Sequence, residues 1–323
     1  MSGENGTGFR CGICEGCQAS GSYEAREMMF GLRTLFHYAQ CGGCGTLWLM
    51  DPPEDFGPYY TNGYYSFTNG NGGVEDRVRT YLRTKRDGAY FKRGGVLGRL
   101  LARRYGENAI LSVSKLSVNY EARILDVGCG SGKLLRRMAA VGFKNLAGVD
   151  PFLSDETRNG DAMTIRKCRL MDLAGEKFDV VMFHHSLEHI ADPACTLRAA
   201  VRLLSPGGRC LVRLPVVAHA WEQYKANWVQ LDPPRHVWVP TEKAMEIVAE
   251  AAGLRVERVE YDSTEFQFWG SELYARNVAQ SETSQLSVRS VFRGNELRRK
   301  RDTVQRLNCD SNGDQAVFYL KSA

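Results

Sequence analysis

Three glycines at alternate positions, set between an apolar run and an amphipathic one in ILDVGCGSGKLL (residues 124–135), constrain the fold of this chain more than any other feature. Residues 123–127 have the length and composition of a buried strand, and Leu134, Leu135, Met138 and Val141 recur at helical spacing before Gly142. Gly128, Gly130 and Gly132 stand at the join, where a Cβ would block both a tight turn and close approach of a ligand to the backbone. The order G-x-G-x-G departs from the G-x-G-x-x-G of dinucleotide folds. A phosphate-binding loop would need glycine in place of Val127 and Ser or Thr in place of Leu134.

The same alternation continues downstream. Strands are expected at 145–150, 162–170, 178–183 and 209–214, with a helix opened by Asp192-Pro193 and ended by Pro206-Gly207-Gly208. A further helix starts at Pro240-Thr241 and closes at Gly253, and late strands follow at 254–261 and 316–320. Repeated βα units predict an α/β fold with a doubly wound, mostly parallel seven-stranded sheet and an antiparallel final pair. Asp150 ends the second strand, 18 positions after Gly132, where a carboxylate can accept both hydroxyls of a ribose. His184, His185, Glu188 and His189 follow the fourth strand, at the carboxyl edge where open α/β sheets bind ligands. For His185 and Glu188, loop packing or capping competes with catalysis, and for His37 and His219 packing is the favoured reading.

Five of the ten cysteines fall in the first 44 residues, an asymmetry that points to a metal and not to a disulfide framework. Cys41-Gly-Gly-Cys44 is a knuckle that offers two thiolates to a tetrahedral zinc. The other pair is Cys11 with Cys14, the preferred choice, or Cys14 with Cys17, which the shorter intervening loop favours. A Cys-Pro of the ferredoxin kind is absent, and four thiolates leave no open coordination position, so the expected Zn²⁺ is structural. Reduced cysteines suit a cytoplasmic location. No window approaches about 18 uninterrupted apolar residues, and the first 14 residues lack a basic region followed by an apolar one.

The chain is expected to divide into a zinc-binding module (1–50), an aromatic connector with basic helices (51–117) and the α/β domain (118–323). Tyr59, Tyr60, Tyr64 and Tyr65 in the connector are read as packing before a sugar-stacking platform. Residues 77–104 carry ten Lys or Arg, enough to contact diphosphate, nucleic acid or an anionic membrane surface, or simply to form a solvated helix face. A net charge of only +5 does not mark a dedicated nucleic-acid binder.

Residues 124–214 resemble the class I S-adenosylmethionine-dependent methyltransferases. The likeness is carried by DVGCGSG after the first strand, Gly148-Val149-Asp150 after the second, Asp172 after the third, FDVVMFHHSLEHI around the fourth and LLSPGGRCLV into the fifth. The resemblance implies a Rossmann-like methyltransferase in which Asp126, Gly128, Gly130 and Gly132 hold the methionine part of S-adenosyl-L-methionine. Asp150 would hold the ribose and Asp172 the adenine edge, with His184 beside the cofactor. Between Asp150 and Ala162 there is room only for a short or broken helix. MMFGLRTLFHYAQCGGCG, YYTNGYYSF and DPPRHVWVPTEKAMEIVAEAAGL extend the likeness to sugar C-methyltransferases with an N-terminal zinc module. In that subgroup a Glu-His pair supplies the base; this chain has Arg235-His236, which leaves His236 as the base and offers Arg235 as a clamp for an anionic substrate group.

The expected function is methyl transfer to a small-molecule acceptor, a sugar, glycan intermediate or natural product that is phosphate-bearing or sugar-linked, with His236, His189 and Glu188 as catalytic candidates. A nucleic-acid methyltransferase is disfavoured because HHSL (184–187) stands where the (Asn/Asp)-Pro-Pro-aromatic loop of nucleobase enzymes would be. A catalytically silent cofactor-binding partner protein is the third reading.

Overall fold

The computed structural model describes residues 9–60, 74–106, 108–153, 157–159, 162–283 and 288–323; Tyr64 and Tyr65 lie outside them. In chain order the strands are β1 Ala19–Arg26, β2 Leu35–Cys41, β3 Leu47–Leu49, β4 Arg123–Val127, β5 Asn145–Val149, β6 Thr157–Asn159, β7 Met163–Arg166, β8 Phe178–His184, β9 Leu204–Pro215, β10 Trp238–Val239, β11 Leu254–Tyr261 and β12 Gln315–Ser322. The helices are α1 Val74–Tyr90, α2 Gly95–Arg104, α3 Asn108–Ser114, α4 Lys133–Val141, α5 Pro193–Leu203, α6 His219–Tyr224, α7 Glu242–Ala251, α8 Phe266–Ala275, α9 Val288–Val291 and α10 Gly294–Cys309.

Strands β11-β12-β9-β8-β4-β5-β7-β6 form one sheet in that order, and β1-β2-β3-β10 form a smaller one. In the larger sheet β8, β4, β5 and β7 are mutually parallel, as the βα units require, with Asp126 opposite Gly148 on β5 and Met182 on β8. Ile124, Leu125, Val180, Val181 and Phe183 are fully buried, which is why their apolar side chains follow one another along β4 and β8 without the alternation of a one-faced strand. Where a helix had little room after Asp150, β6 instead pairs antiparallel with β7 and adds an eighth strand at the edge.

Two compact units interleave in sequence: Met1–Tyr59, Glu188–Cys195 and Arg213–Val317 make one, and Tyr60–Leu187, Thr196–Val212 and Phe318–Ala323 the other. The first unit has a core of Tyr38, Leu47, Trp221, Trp228, Leu231 and Val239, with the Trp221 ring edge-on to Tyr23. Among the described residues no helix is long and apolar enough to cross a membrane.

Candidate active site and cysteine cluster

The glycine turn is held from both sides. Gly128 and Cys129 donate their amides to the Val149 carbonyl at 2.8 and 3.2 Å, and the Ser186 hydroxyl donates to the Val127 carbonyl at 2.6 Å. Gly128 and Gly132 have φ of +73° and +74°; a Cβ at the first would lie 2.5 Å from that of Ser186, and at the second 2.1 Å from Ile165 Cδ1. A side chain is therefore strained at both by the backbone, and at Gly128 it is also blocked by Ser186. Asp150, at the end of β5, accepts from the Gly130 amide and the Phe152 amide, both at 2.9 Å, so its carboxylate is fixed before any ligand arrives.

Asp126 is buried, and its Oδ1 has no hydrogen-bond partner; the Ser131 hydroxyl is in the same condition. Desolvation, with the Asp150 charge adding to it, pushes the Asp126 carboxyl up to about 8. An orphaned buried carboxylate and hydroxyl beside a cradle that side chains would fill are what a cationic, hydroxyl-bearing ligand would satisfy. The residues present thus fit S-adenosylmethionine. Asp172 closes a short 3₁₀ turn, exposed, with Oδ2 accepting from the Arg169 amide at 2.8 Å. Sequence reasoning passed over Phe152, which is exposed two residues after Asp150 and stacks on Tyr60 with ring centroids 5.8 Å apart. An aromatic ring two positions after Asp150 was the signal available.

The other unit gathers Glu188, His189 and His236, with one ligand atom of each within 4.8 Å of the others. Their ring nitrogens are oriented by the main chain. His236 Nδ1 lies 2.8 Å from the Gln230 carbonyl and His189 Nδ1 2.8 Å from the Arg235 carbonyl. A carbonyl only accepts, so each Nδ1 carries a proton, and in the neutral form the lone pair is on Nε2. His236 Nε2 is 3.8 Å from Glu188 Oε1 and 3.9 Å from Asp232 Oδ2. Burial and the adjacent His236 hold His189 below the usual imidazole value, so it stays neutral near pH 7. Against the desolvation that burial imposes, the Arg235 charge keeps Asp232 below the usual carboxylate value.

Arg235 does not serve as a substrate clamp. It is fully buried, its Nε donates to Asp232 at 2.9 Å, and its two terminal nitrogens reach the Tyr59 carbonyl at 3.2 Å and Glu27 at 3.1 Å. Glu27 is equally buried and also caps the amides of Met29, Phe30 and Leu32. The guanidinium is a structural tie, because an Arg already holding two carboxylates offers nothing to an anion. A carboxylate does stand near His236: Glu188, from a segment 48 positions earlier, has its Oε1 3.8 Å from His236 Nε2.

At the N-terminus, Cys11, Cys14, Cys41 and Cys44 bring their sulfurs within 4.8 Å of one another, with Cys11–Cys44 at 3.6 Å and Cys14–Cys41 at 3.5 Å. Thiolates on a tetrahedral zinc with bonds of about 2.3 Å lie about 3.8 Å apart, so the set fits. Cys17 is exposed and turns its thiol to the Glu15 carbonyl, which leaves it out of the cluster. The Gly43 amide points at Cys41 Sγ and the Trp48 indole at Cys11 Sγ, both at 3.3 Å, donors that stabilise thiolates. The hydrogen bond with Cys44 lowers the Cys11 thiol to about 4, and the same contact raises Cys44.

Residues 99–259 match a family model described as a methyltransferase domain. A ubiquinone biosynthesis O-methyltransferase of Caulobacter is 31% identical over 151 residues, 42% of this chain and 59% of that protein. One from Xanthomonas oryzae is 39% identical over 97 residues, 27% of this chain and 41% of that protein. The chain thus spans between two fifths and three fifths of these relatives' lengths. A solved 1,6-didemethyltoxoflavin-N1-methyltransferase from Burkholderia thailandensis covers 79% of this chain and 93% of its own at 15% identity and a TM-score of 0.41, too loose a superposition to add an argument.

Proposed function

We propose that this chain, whose residues 99–259 belong to the methyltransferase-domain family, transfers a methyl group from S-adenosylmethionine to a small-molecule acceptor, with a structural zinc on its four clustered cysteines. The observation that carries the reading is Asp126, a buried carboxylate with an orphaned oxygen beside the glycine turn. When bound, S-adenosylmethionine supplies a methyl group on a positively charged sulfur. Asp126 Oδ1 would take the ammonium of its methionine part, and the Gly128, Gly130 and Gly132 turn would admit that part against the backbone. The lone pairs of Asp150 not used by Gly130 and Phe152 would accept the ribose hydroxyls. Asp172 and His184 are assigned to the adenine edge and to the cofactor's flank.

On the acceptor, His236 Nε2 is the proposed base. The Gln230 carbonyl fixes its tautomer and Glu188 stabilises the imidazolium that forms, a division of labour like that of a nucleophile's base and its orienting carboxylate. His189 is a second candidate in the same cluster. Ubiquinone O-methyltransferases are among the relatives, and an acceptor hydroxyl that must lose a proton suits this base; a sugar, glycan intermediate or natural product is the proposed class. Two carboxylates and two imidazoles in one cluster favour a catalytic chain over a silent cofactor-binding partner.

Calorimetry tests the cofactor assignment. Asp150→Ala should weaken S-adenosylmethionine binding by about tenfold to a hundredfold, the worth of a charge-assisted hydrogen bond of about 1.5 to 3 kcal/mol; equal affinity in both proteins would remove the ribose assignment. Asp126 makes the affinity pH-dependent. Its folded value is raised to about 8, so at pH 7 most of the free protein holds the acid protonated and binding of a cation must expel that proton. Affinity should rise by up to about tenfold per pH unit below that value and level off above it. A raised carboxyl adds stability below its unfolded value and loses it as pH climbs through about 8, so Asp126→Asn should raise the melting temperature of the ligand-free protein at alkaline pH while impairing binding. A pH-independent affinity would overturn this role.

A further inference from the structure

Helices α1 and α2 combine two features that the proposed transfer reaction does not use. Residues 77–105 hold ten Lys or Arg against one acid, Asp87, which is buried and paired with Arg86 and Arg137. The same stretch contains seven of the twelve most exposed large apolar side chains among the described residues. In α1 these are Val78, Tyr81 and Leu82, flanked by the exposed Arg77, Arg79 and Arg83.

The apolar side chains are left outside for a reason visible in the packing. Where α1 meets α2, the contact is made by glycine: a Cβ on Gly94 or Gly98 would lie 2.3 or 2.2 Å from the Lys85 carbonyl oxygen. Helices that close can dispense with larger residues between them. Val96, Leu97 and Leu100, one stripe by helical spacing, are 66%, 45% and 59% exposed. Arg103 and Arg104 continue that stripe and Arg99 borders it. A hollow of about 460 Å³ opens at this place, lined by Tyr90, Val96, Arg99, Leu100 and Arg103 among others.

We propose that the α1–α2 face docks on an anionic lipid bilayer surface. An aliphatic ridge edged by guanidinium groups is the chemistry of an interfacial helix, whose apolar side chains enter the acyl boundary while the arginines pair with lipid phosphates. The hollow is lined by Val96 and Leu100 together with Arg99 and Arg103, the side-chain types that take an acyl chain and a phosphate head group. A second copy of this chain is a poor occupant, since two faces with this excess of positive charge repel. A nucleic acid would use the arginines but leave Val96, Leu97 and Leu100 in contact with water. The inference stands apart from the methyl-transfer reading and requires only the α1–α2 face.

Flotation of the full chain with vesicles tests it. The protein should bind phosphatidylcholine vesicles containing about 30% phosphatidylserine at least about tenfold more tightly than pure phosphatidylcholine, and less tightly as salt rises. Leu97→Ser with Leu100→Ser, and separately Arg99→Gln with Arg103→Gln and Arg104→Gln, should each reduce binding about tenfold without moving the melting temperature. Absence of binding to anionic vesicles overturns the proposal, as does undiminished binding by the leucine variant. Binding of a single-stranded oligonucleotide without vesicle binding would assign the face to nucleic acid instead. A wild-type dimer in sedimentation that the leucine variant dissociates, with no vesicle binding, would assign it to a second copy.

Discussion

Turnover in His236→Ala should fall by about 10²- to 10⁴-fold, the usual worth of a positioned general base, while S-adenosylmethionine affinity changes little. The expectation rests on the tautomer. With Nδ1–H donated to Gln230, Nε2 is the only basic atom His236 can offer, and Glu188 Oε1 at 3.8 Å is placed to stabilise the charge it acquires. Glu188→Gln keeps the shape and removes that stabilisation, so it should lower turnover by a smaller factor, about tenfold to a hundredfold. His189→Ala separates the two imidazoles. A large loss there with an unchanged rate in His236→Ala moves the base to His189. Unchanged rates in both mean that alignment of an already nucleophilic acceptor drives the transfer.

The parts of this molecule that were legible in sequence are those whose cause is local. A strand, three glycines and a helix in ILDVGCGSGKLL specify a turn whatever surrounds them, and Asp192-Pro193 sets a helix start that Asp192 does cap, through the Cys195 amide at 2.8 Å. What was hidden depends on partners far away in the chain. Nothing near Arg235 announces that it will be buried on Glu27, 208 positions away. The juxtaposition of Glu188 with His236 at 3.8 Å is invisible for the same reason, because nothing local to either segment announces the fold that brings them together. Helix α8 went unread because FQFWGSELYA is apolar almost all round and interrupted by Gly270, whose lack of a Cβ lets Val229 approach. The short β6 has the sequence Thr-Arg-Asn, which carries no strand signal, and forms as the partner of β7. At the cysteines, spacing favoured Cys11 with Cys14 but left Cys17 open, and the position of the sulfurs separates them.

Zinc removal should reach further than the cluster. Structural zinc is worth about 10 to 16 kcal/mol in small modules, as much as the whole stability of an ordinary domain. The core around these cysteines is small: Phe9, Ala39 and Ala244 are its other buried members. Cys41→Ser with Cys44→Ser should therefore bind no metal and lose the order of its N-terminal sheet, whereas Cys17→Ser should retain one zinc per chain by elemental analysis. The sheet in turn supports the segment that carries His236. Tyr38 on β2 donates its hydroxyl to the His236 carbonyl at 2.7 Å, the Leu49 amide donates to Val237 at 3.0 Å, and Thr241, which caps α7, donates to the Cys44 carbonyl at 2.6 Å. A chain of bonds thus runs from the knuckle to the backbone that carries His236, and misplacing a base by about 1 Å can lower a rate about a hundredfold. The double cysteine variant should consequently lose turnover about as severely as His236→Ala, yet bind S-adenosylmethionine with nearly wild-type affinity, because the Asp126 and Asp150 cradle has none of these bonds. Full metal content in that variant would remove the zinc assignment. Metal loss with turnover intact would keep the zinc assignment but show that the metal does not position His236.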